Sequence, residues 1–186
     1  MSRTSEKEKP AVQKAEIVLV EAAVHGDVES FTELCRLYYP AMVAIAQSII
    51  GDRHLAEDVS QQAFARAAVK LHQLKRRNQF AAWLAAICRN AAKDMARRRK
   101  TLAGNVNLSA VAAECDHEGA AEAVREALNK LSAPARELVF LRYYDGLSYE
   151  QISSLLGISE QAINGRLRRA KRKMAEYLRR NGFGEV

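Results

Sequence analysis

Residues 146–180, GLSYEQISSLLGISEQAINGRLRRAKRKMAEYLRR, decide the fold of the second half of this chain. The stretch reads as two helices joined by a tight turn. Ser148 is placed to cap the first, with Gln151 three residues on to complete a capping box. Ile152, Leu155 and Leu156 give that helix an apolar side. Gly157 stands where the helix must stop, and glycine adopts the left-handed conformation of such a turn at little steric cost. Ser159 can cap the second helix. There Ile163, Leu167, Ala170 and Met174 recur at spacings of four, three and four, which puts them on one buried stripe. Gln161, Asn164, Arg168, Arg169, Lys171 and Arg172 fall on the other side. This is the anatomy of a helix-turn-helix whose second helix enters the major groove. Arginine and lysine neutralise phosphates or read guanine, and asparagine or glutamine can read adenine. A helical hairpin with a solvated basic face is the bland alternative. The coincidence of capped helix, glycine turn and one-sided basic helix favours DNA.

Composition fits an all-α chain that meets polyanions. The 186 residues suffice for one ordinary domain or two small ones. Apolar residues make up 48%, enough for a real core, while three prolines and nine glycines are too few for a loop-rich β protein. The net charge of +7 points to nucleic acid or acidic proteins as partners. No apolar run approaches the roughly 20 residues that span a bilayer, and the charged start, MSRTSEKEKPAVQK, lacks a signal core, so a cytoplasmic location and no membrane insertion are expected. Cys35, Cys88 and Cys115 are odd in number and widely spaced, which suits a reducing compartment. Cys115 and His117 are the only cysteine and histidine that sit close together in the sequence, and two ligands do not make a structural site. No metal, cofactor or catalytic constellation is expected: the chain has no phosphate-binding glycine loop, no HExxH and no supported nucleophile–base pair.

Taken in order, residues 1–14 read as a charged, frayed tail. A first helical unit spans 15–100. Gly26 and Asp27 punctuate it, Pro40 marks a turn or kink, and Asp52 caps a helix whose apolar side is Leu55, Val59, Ala63, Phe64, Ala67 and Leu71. Residues 72–79, HQLKRRNQ, form a basic break. Phe80, Trp83, Leu84, Ile87, Cys88 and Ala91 then make a stripe, followed by Arg89, Lys93, Arg97, Arg98, Arg99 and Lys100 against Asp94 alone. Such a helix can hold phosphates and cradle an unstacked base, although Trp83 itself reads more readily as core. Residues 101–121 lose helical pattern and read as a flexible linker. A second unit of four helices spans 122–182, with Ser132 capping a helix that carries Pro134 in its first turn.

Three motifs in this order carry a family resemblance: FTELCRLYYPAMVAIAQSIIGDRHLAEDVSQQAFARA, FAAWLAAICRNAAKD and LSAPARELVFLRYYDGLSYEQISSLLGISEQAINGRLRRAKRKM. Together they resemble bacterial sigma-70 family factors of the extracytoplasmic-function (ECF) group, over nearly the whole chain from Gly26 to Leu178. The resemblance implies two small helical domains, sigma-2-like and sigma-4-like, without a sigma-3 domain. It implies a non-enzymatic factor that lends promoter specificity to core RNA polymerase, docking on the β′ clamp helices and the β flap. An anti-sigma factor is the further partner it implies.

The implied roles follow matching positions. Within AEDVSQQ, Asp58, Gln61 and Gln62 fall where the family contacts the clamp helices, with Gln62 in place of the usual acid. Leu74, Lys75, Ile87, Asn90, Lys93 and Arg97 fall where the family recognises and melts the −10 element and holds a flipped base. The −35 element would meet Gln161, Asn164, Gly165, Arg168, Arg169 and Lys171. AINGRLRRAK departs from the family's TVKSRLxRAR, with Asn164 for a cation and Gly165 for a serine, so the −35 sequence does not follow from family habit. Two other readings stand beside this one. A two-domain regulator would bind duplex operators without polymerase, and a metal- or redox-sensing protein would use the three cysteines.

Overall fold

The computed structural model describes residues 5–103 and 118–183. All regular structure among them is helical. Four helices form the first unit: α1 (Ser5–Val24), α2 (Val28–Ile50), α3 (Arg53–Lys70) and α4 (Phe80–Ala103). Local signals set their ends. Asp27 accepts a hydrogen bond from the Ser30 N–H and Asp52 from the Leu55 N–H, each satisfying a donor that the first turn of a helix leaves unpaired. Gly51 closes α2 in the left-handed conformation, φ 76°. Helix α2 is the centre of the unit and packs on α1, α3 and α4. Leu34, Met42 and Ile45 from α2, Val20 from α1 and Phe80 and Leu84 from α4 are fully buried there. Each contributes about 1.5–3 kcal/mol by leaving water.

Two expectations for this unit are corrected. The tail expected over 1–14 is helical from Ser5. Pro40 does not make a turn: α2 runs through it as one helix. Proline there removes one backbone donor, but the residue is exposed, so water can satisfy the carbonyl one turn back.

The second unit holds α5 (Glu118–Asn129), α6 (Ala133–Val139), α7 (Tyr149–Leu156) and α8 (Glu160–Arg180). Helical structure thus runs past 100 to Ala103 and resumes at Glu118, inside the span 101–121 read as linker; residues 104–117, with Cys115 and His117, lie outside the described residues. Ser132 precedes α6 without a side-chain cap bond. After α6 the helix widens into a π-turn, Phe140–Tyr144, in which the Asp145 N–H donates to the Phe140 carbonyl at 3.0 Å. The core here is Leu138, Leu141, Ile152, Ile163 and Leu167. It is continuous with the core of the first unit, because α6 and the π-turn pack on α2 and α7 packs on α4.

Candidate nucleic-acid interface

The helix-turn-helix is built as its sequence requires. The Ser148 side chain accepts from the Gln151 N–H at 3.1 Å, and the Gln151 side chain accepts from the Ser148 N–H at 2.8 Å. Gly157 ends α7 with φ 66°, and Ser159 accepts from the Ala162 N–H at 3.2 Å to start α8. Ile163, Leu167 and Ala170 face the core. Gln161, Asn164, Arg168, Arg169 and Lys171 are all exposed on the opposite side, and Gly165 lies half-exposed between them. The far end of α8 is tied down on α5: the Tyr177 hydroxyl donates to Glu126 and the Lys173 ammonium to the Lys130 carbonyl. The recognition face is therefore the outer side of a helix held at both ends.

The second face runs along α4 and the loop before it. Trp83, Ile87, Asn90 and Arg97 are spaced by four, three and seven, which lines them along one side of the helix. Asn90 and Lys93 are exposed, Ile87 is half-buried, and Arg97 pairs with Asp94. Trp83 is half-buried against Phe80, ring centroids 6.0 Å apart, in keeping with its reading as core. In the loop, Lys75 points outward. Leu74 does not: its side chain is 5% exposed and belongs to the core, so it anchors the loop and leaves outward contact to its neighbours. Arg77 holds the same loop to α1 through Glu21, 2.6 Å away, and to the Leu74 carbonyl.

Asp58, Gln61 and Gln62 are exposed on one side of α3. Val69 continues that side at 74% exposure, a residue the apolar stripe of α3 had left out. Tyr143 is the other omission. Its exposed ring lies 4.6 Å from the Lys171 ammonium, close enough for a cation–π contact that restrains this lysine beside the recognition face. The only sequence signal for either was an apolar or aromatic residue out of phase with its helix.

Basic residues do not all face outward. Arg89 turns inward to Glu137, and Arg99 lies 4.0 Å from Asp52. Among the cysteines, the Cys88 thiol is fully buried and donates to the Met42 carbonyl at 3.3 Å; burial pushes its pKa up to about 12, which makes it inert as a nucleophile. Burial raises Cys35 as well. No group of three or more potential metal ligands occurs among the described residues, and no described helix is long and apolar enough to cross a membrane.

Comparison with known proteins places these faces in a family. The family described as Sigma-70 region 2 matches residues 34–101, and Sigma-70, region 4 matches residues 121–174. The probable RNA polymerase sigma factor RfaY of Xanthomonas campestris pv. campestris is 33% identical over 172 residues, which are 82% of this chain and 43% of that protein. The ECF RNA polymerase sigma factor SigW of Bacillus subtilis is 26% identical over 171 residues, 83% of this chain and 91% of its own length. The sigma factor RpoE from Bartonella quintana, solved in complex with the anti-sigma factor NepR, superposes with a TM-score of 0.58 at 29% identity, covering 82% of this chain and 98% of that one. The two matched regions contain all three faces described above. The chain belongs to the extracytoplasmic-function group of the sigma-70 family.

Proposed function

We propose that this protein is a sigma factor that binds core RNA polymerase and directs initiation at promoters carrying defined −35 and −10 elements. The observation that carries this reading is the order of two basic, exposed helix faces, α4 and α8, within the two matched sigma regions of one chain. In this reading α8 lies in the −35 major groove. Arg168 and Arg169 supply phosphate or guanine contacts, Gln161 and Asn164 face base edges, and Lys171 holds the flank. Gly165 leaves a gap in the side-chain row where backbone and DNA can approach closely.

The −10 element is met as a melted strand by Ile87, Asn90, Lys93 and Arg97 on α4, with Lys75 beside them and Leu74 fixing the loop. Unstacking a base costs a few kcal/mol, which contacts of the base with Ile87 and Asn90 and the phosphate contacts of the basic residues must return. Asp58, Gln61 and Gln62 dock α3 on the β′ clamp helices, and the helix-turn-helix unit meets the β flap. The protein works in the cytoplasm without catalytic chemistry of its own, under the control of an anti-sigma factor.

Run-off transcription with core bacterial RNA polymerase and a promoter library tests this. Specific initiation that depends on the protein and is lost with Asn90→Ala or Arg168→Ala supports it. A protein that binds duplex DNA tightly by itself and does not bind core enzyme contradicts it.

A further inference from the structure

The loop between α3 and α4 has little of its own to hold it. It is built from two single turns of 3-10 helix, Leu71–Gln73 and Arg77–Gln79, and neither begins with a side-chain cap. Such turns make poorer hydrogen bonds than an α-helix. Between them Leu74 drops into the core, and its N–H donates to the Leu71 carbonyl at 3.0 Å. Three cations follow in a row, Lys75, Arg76 and Arg77, and nothing in the sequence tells them apart.

The structure does tell them apart. Lys75 and Arg76 are exposed, whereas the side chain of Arg77 turns back and is only 25% exposed. Arg77 Nε donates to Glu21 Oε2 of α1 at 2.6 Å, and Nη1 donates to the Leu74 carbonyl. One guanidinium therefore ties the loop both to itself and to another helix, which the fork of donors on arginine allows. The helix at the other end of this tie is itself fixed: Val20 is fully buried, Ala23 nearly so, and α1 packs on both 3-10 turns. An isolated exposed ion pair is worth little. Here the arginine is mostly shielded and the loop has few other ties, so the pair has more leverage on the loop than on global stability. Glu21 also lies before the stretch that matches the first sigma region, residues 34–101.

We propose that Glu21 and Arg77 are positioning residues for −10 recognition: together they brace the loop so that Lys75 and Arg76 meet the melted strand in a fixed geometry, and Arg77 does not touch the DNA. The recognition role rests on the sigma-factor reading; the brace itself does not. A preferred −10 strand draws on the ordered loop, and a mismatched strand gains nothing from it. Loosening the loop lowers the fraction of chain competent for the preferred strand and so erodes the preference. The sign of the effect separates the brace from plain electrostatics. Glu21→Gln removes a negative charge from a protein that meets a polyanion, which by charge alone strengthens binding. The brace requires the same change to weaken −10 discrimination.

Two arms test this, with circular dichroism to confirm that each variant keeps its helices. The first is limited trypsin digestion of the full chain, with cleavage after Lys75 and Arg76 followed by peptide mass spectrometry. Glu21→Gln should speed cleavage there by about threefold or more, because a loop that opens more readily is cut faster. Cleavage at the parent rate overturns the brace. The second arm is initiation by holoenzyme, reconstituted with core bacterial RNA polymerase, on two promoters that differ at one −10 base. Glu21→Gln and Arg77→Gln should each reduce the preference by about threefold or more, and no further when combined, as members of one contact do. The salt dependence of promoter binding should stay as in the parent, because no phosphate contact is lost. Preference unchanged in Glu21→Gln overturns the positioning role. So does a salt slope that falls by about 0.9 in Arg77→Gln, the signature of a lost phosphate contact. Faster cleavage in the first arm with no promoter-dependent initiation by the parent upholds the brace and overturns the sigma-factor reading instead.

Discussion

Glycine at position 165 gives the sharpest test of how α8 is used. Gly165 lies in the interior of α8, where glycine is about 1 kcal/mol worse than alanine because the unfolded chain loses more freedom on folding. A methyl group there would meet only Arg169 Nη1, at 3.9 Å, an ordinary contact with the end of a flexible side chain. Nothing in the free protein therefore resists Gly165→Ala. The variant should be more stable by about 0.4–1 kcal/mol, seen as a rise in Tm of about 1–4 °C for a protein of this size. Promoter binding should move the other way. If the backbone at 165 approaches DNA closely, the added methyl should weaken −35 recognition by about tenfold, equivalent to about 1.4 kcal/mol. Thermal melts and a binding titration of holoenzyme on a −35 promoter check the two halves. A lower Tm would refute the helical reading of position 165. A higher Tm with unchanged promoter affinity would refute close approach.

Three further outcomes follow from single contacts. Ser148→Ala removes one half of the capping box and should cost about 1 kcal/mol, measured by denaturant unfolding, whereas Ser148→Asp should keep most of the stability. Burial raises the pKa of Asp145 above the ordinary carboxylate value, so its carboxylate takes up a proton more readily in the folded chain than in the unfolded one. The stabilisation is then full below the ordinary carboxylate range and lost as pH rises through the raised value. Asp145→Asn should accordingly raise Tm at neutral pH, with the advantage shrinking as pH falls toward 4, and a constant gap across pH would contradict this. Cys88 should resist thiol-directed reagents in the native protein at pH 8 and react only on unfolding, as peptide mass spectrometry can show; rapid native labelling would contradict its burial.

Local signals made most of the architecture legible. Asp27, Asp52, Ser148, Gln151 and Ser159 each cap a helix within three residues of themselves, and Gly51 and Gly157 close helices at the positions where the apolar pattern stops. The outer side of α8 followed from periodicity alone, because a helix with a buried stripe has one free side. Asn90 was placed by resemblance, and its exposure agrees with the helical phase set by Phe80, Leu84 and Cys88. Leu74 shows the limit of that route: a lone apolar residue in a basic loop gives no phase, and here it turns into the core.

The polar contacts between the two units had no such signal. Arg89 and Glu137 are 48 residues apart, and each on its own helix looks like an ordinary charged surface residue. Arg53 and Tyr144 are 91 apart. Nothing local distinguishes an arginine that pairs with solvent from one that pairs with the other half of the protein. The π-turn was equally silent, since Phe140–Tyr144 continues the apolar spacing of α6 and only the five-residue hydrogen bond of Asp145 reveals the widening.

The central claim is that this chain gives core RNA polymerase its promoter preference, and run-off transcription with a promoter library measures that most directly. The account predicts initiation at promoters sharing one −35 and one −10 sequence, dependent on the added protein, abolished by Asn90→Ala and by Arg168→Ala. Initiation that is the same with and without the protein, alongside tight binding of the isolated protein to duplex DNA, would contradict it.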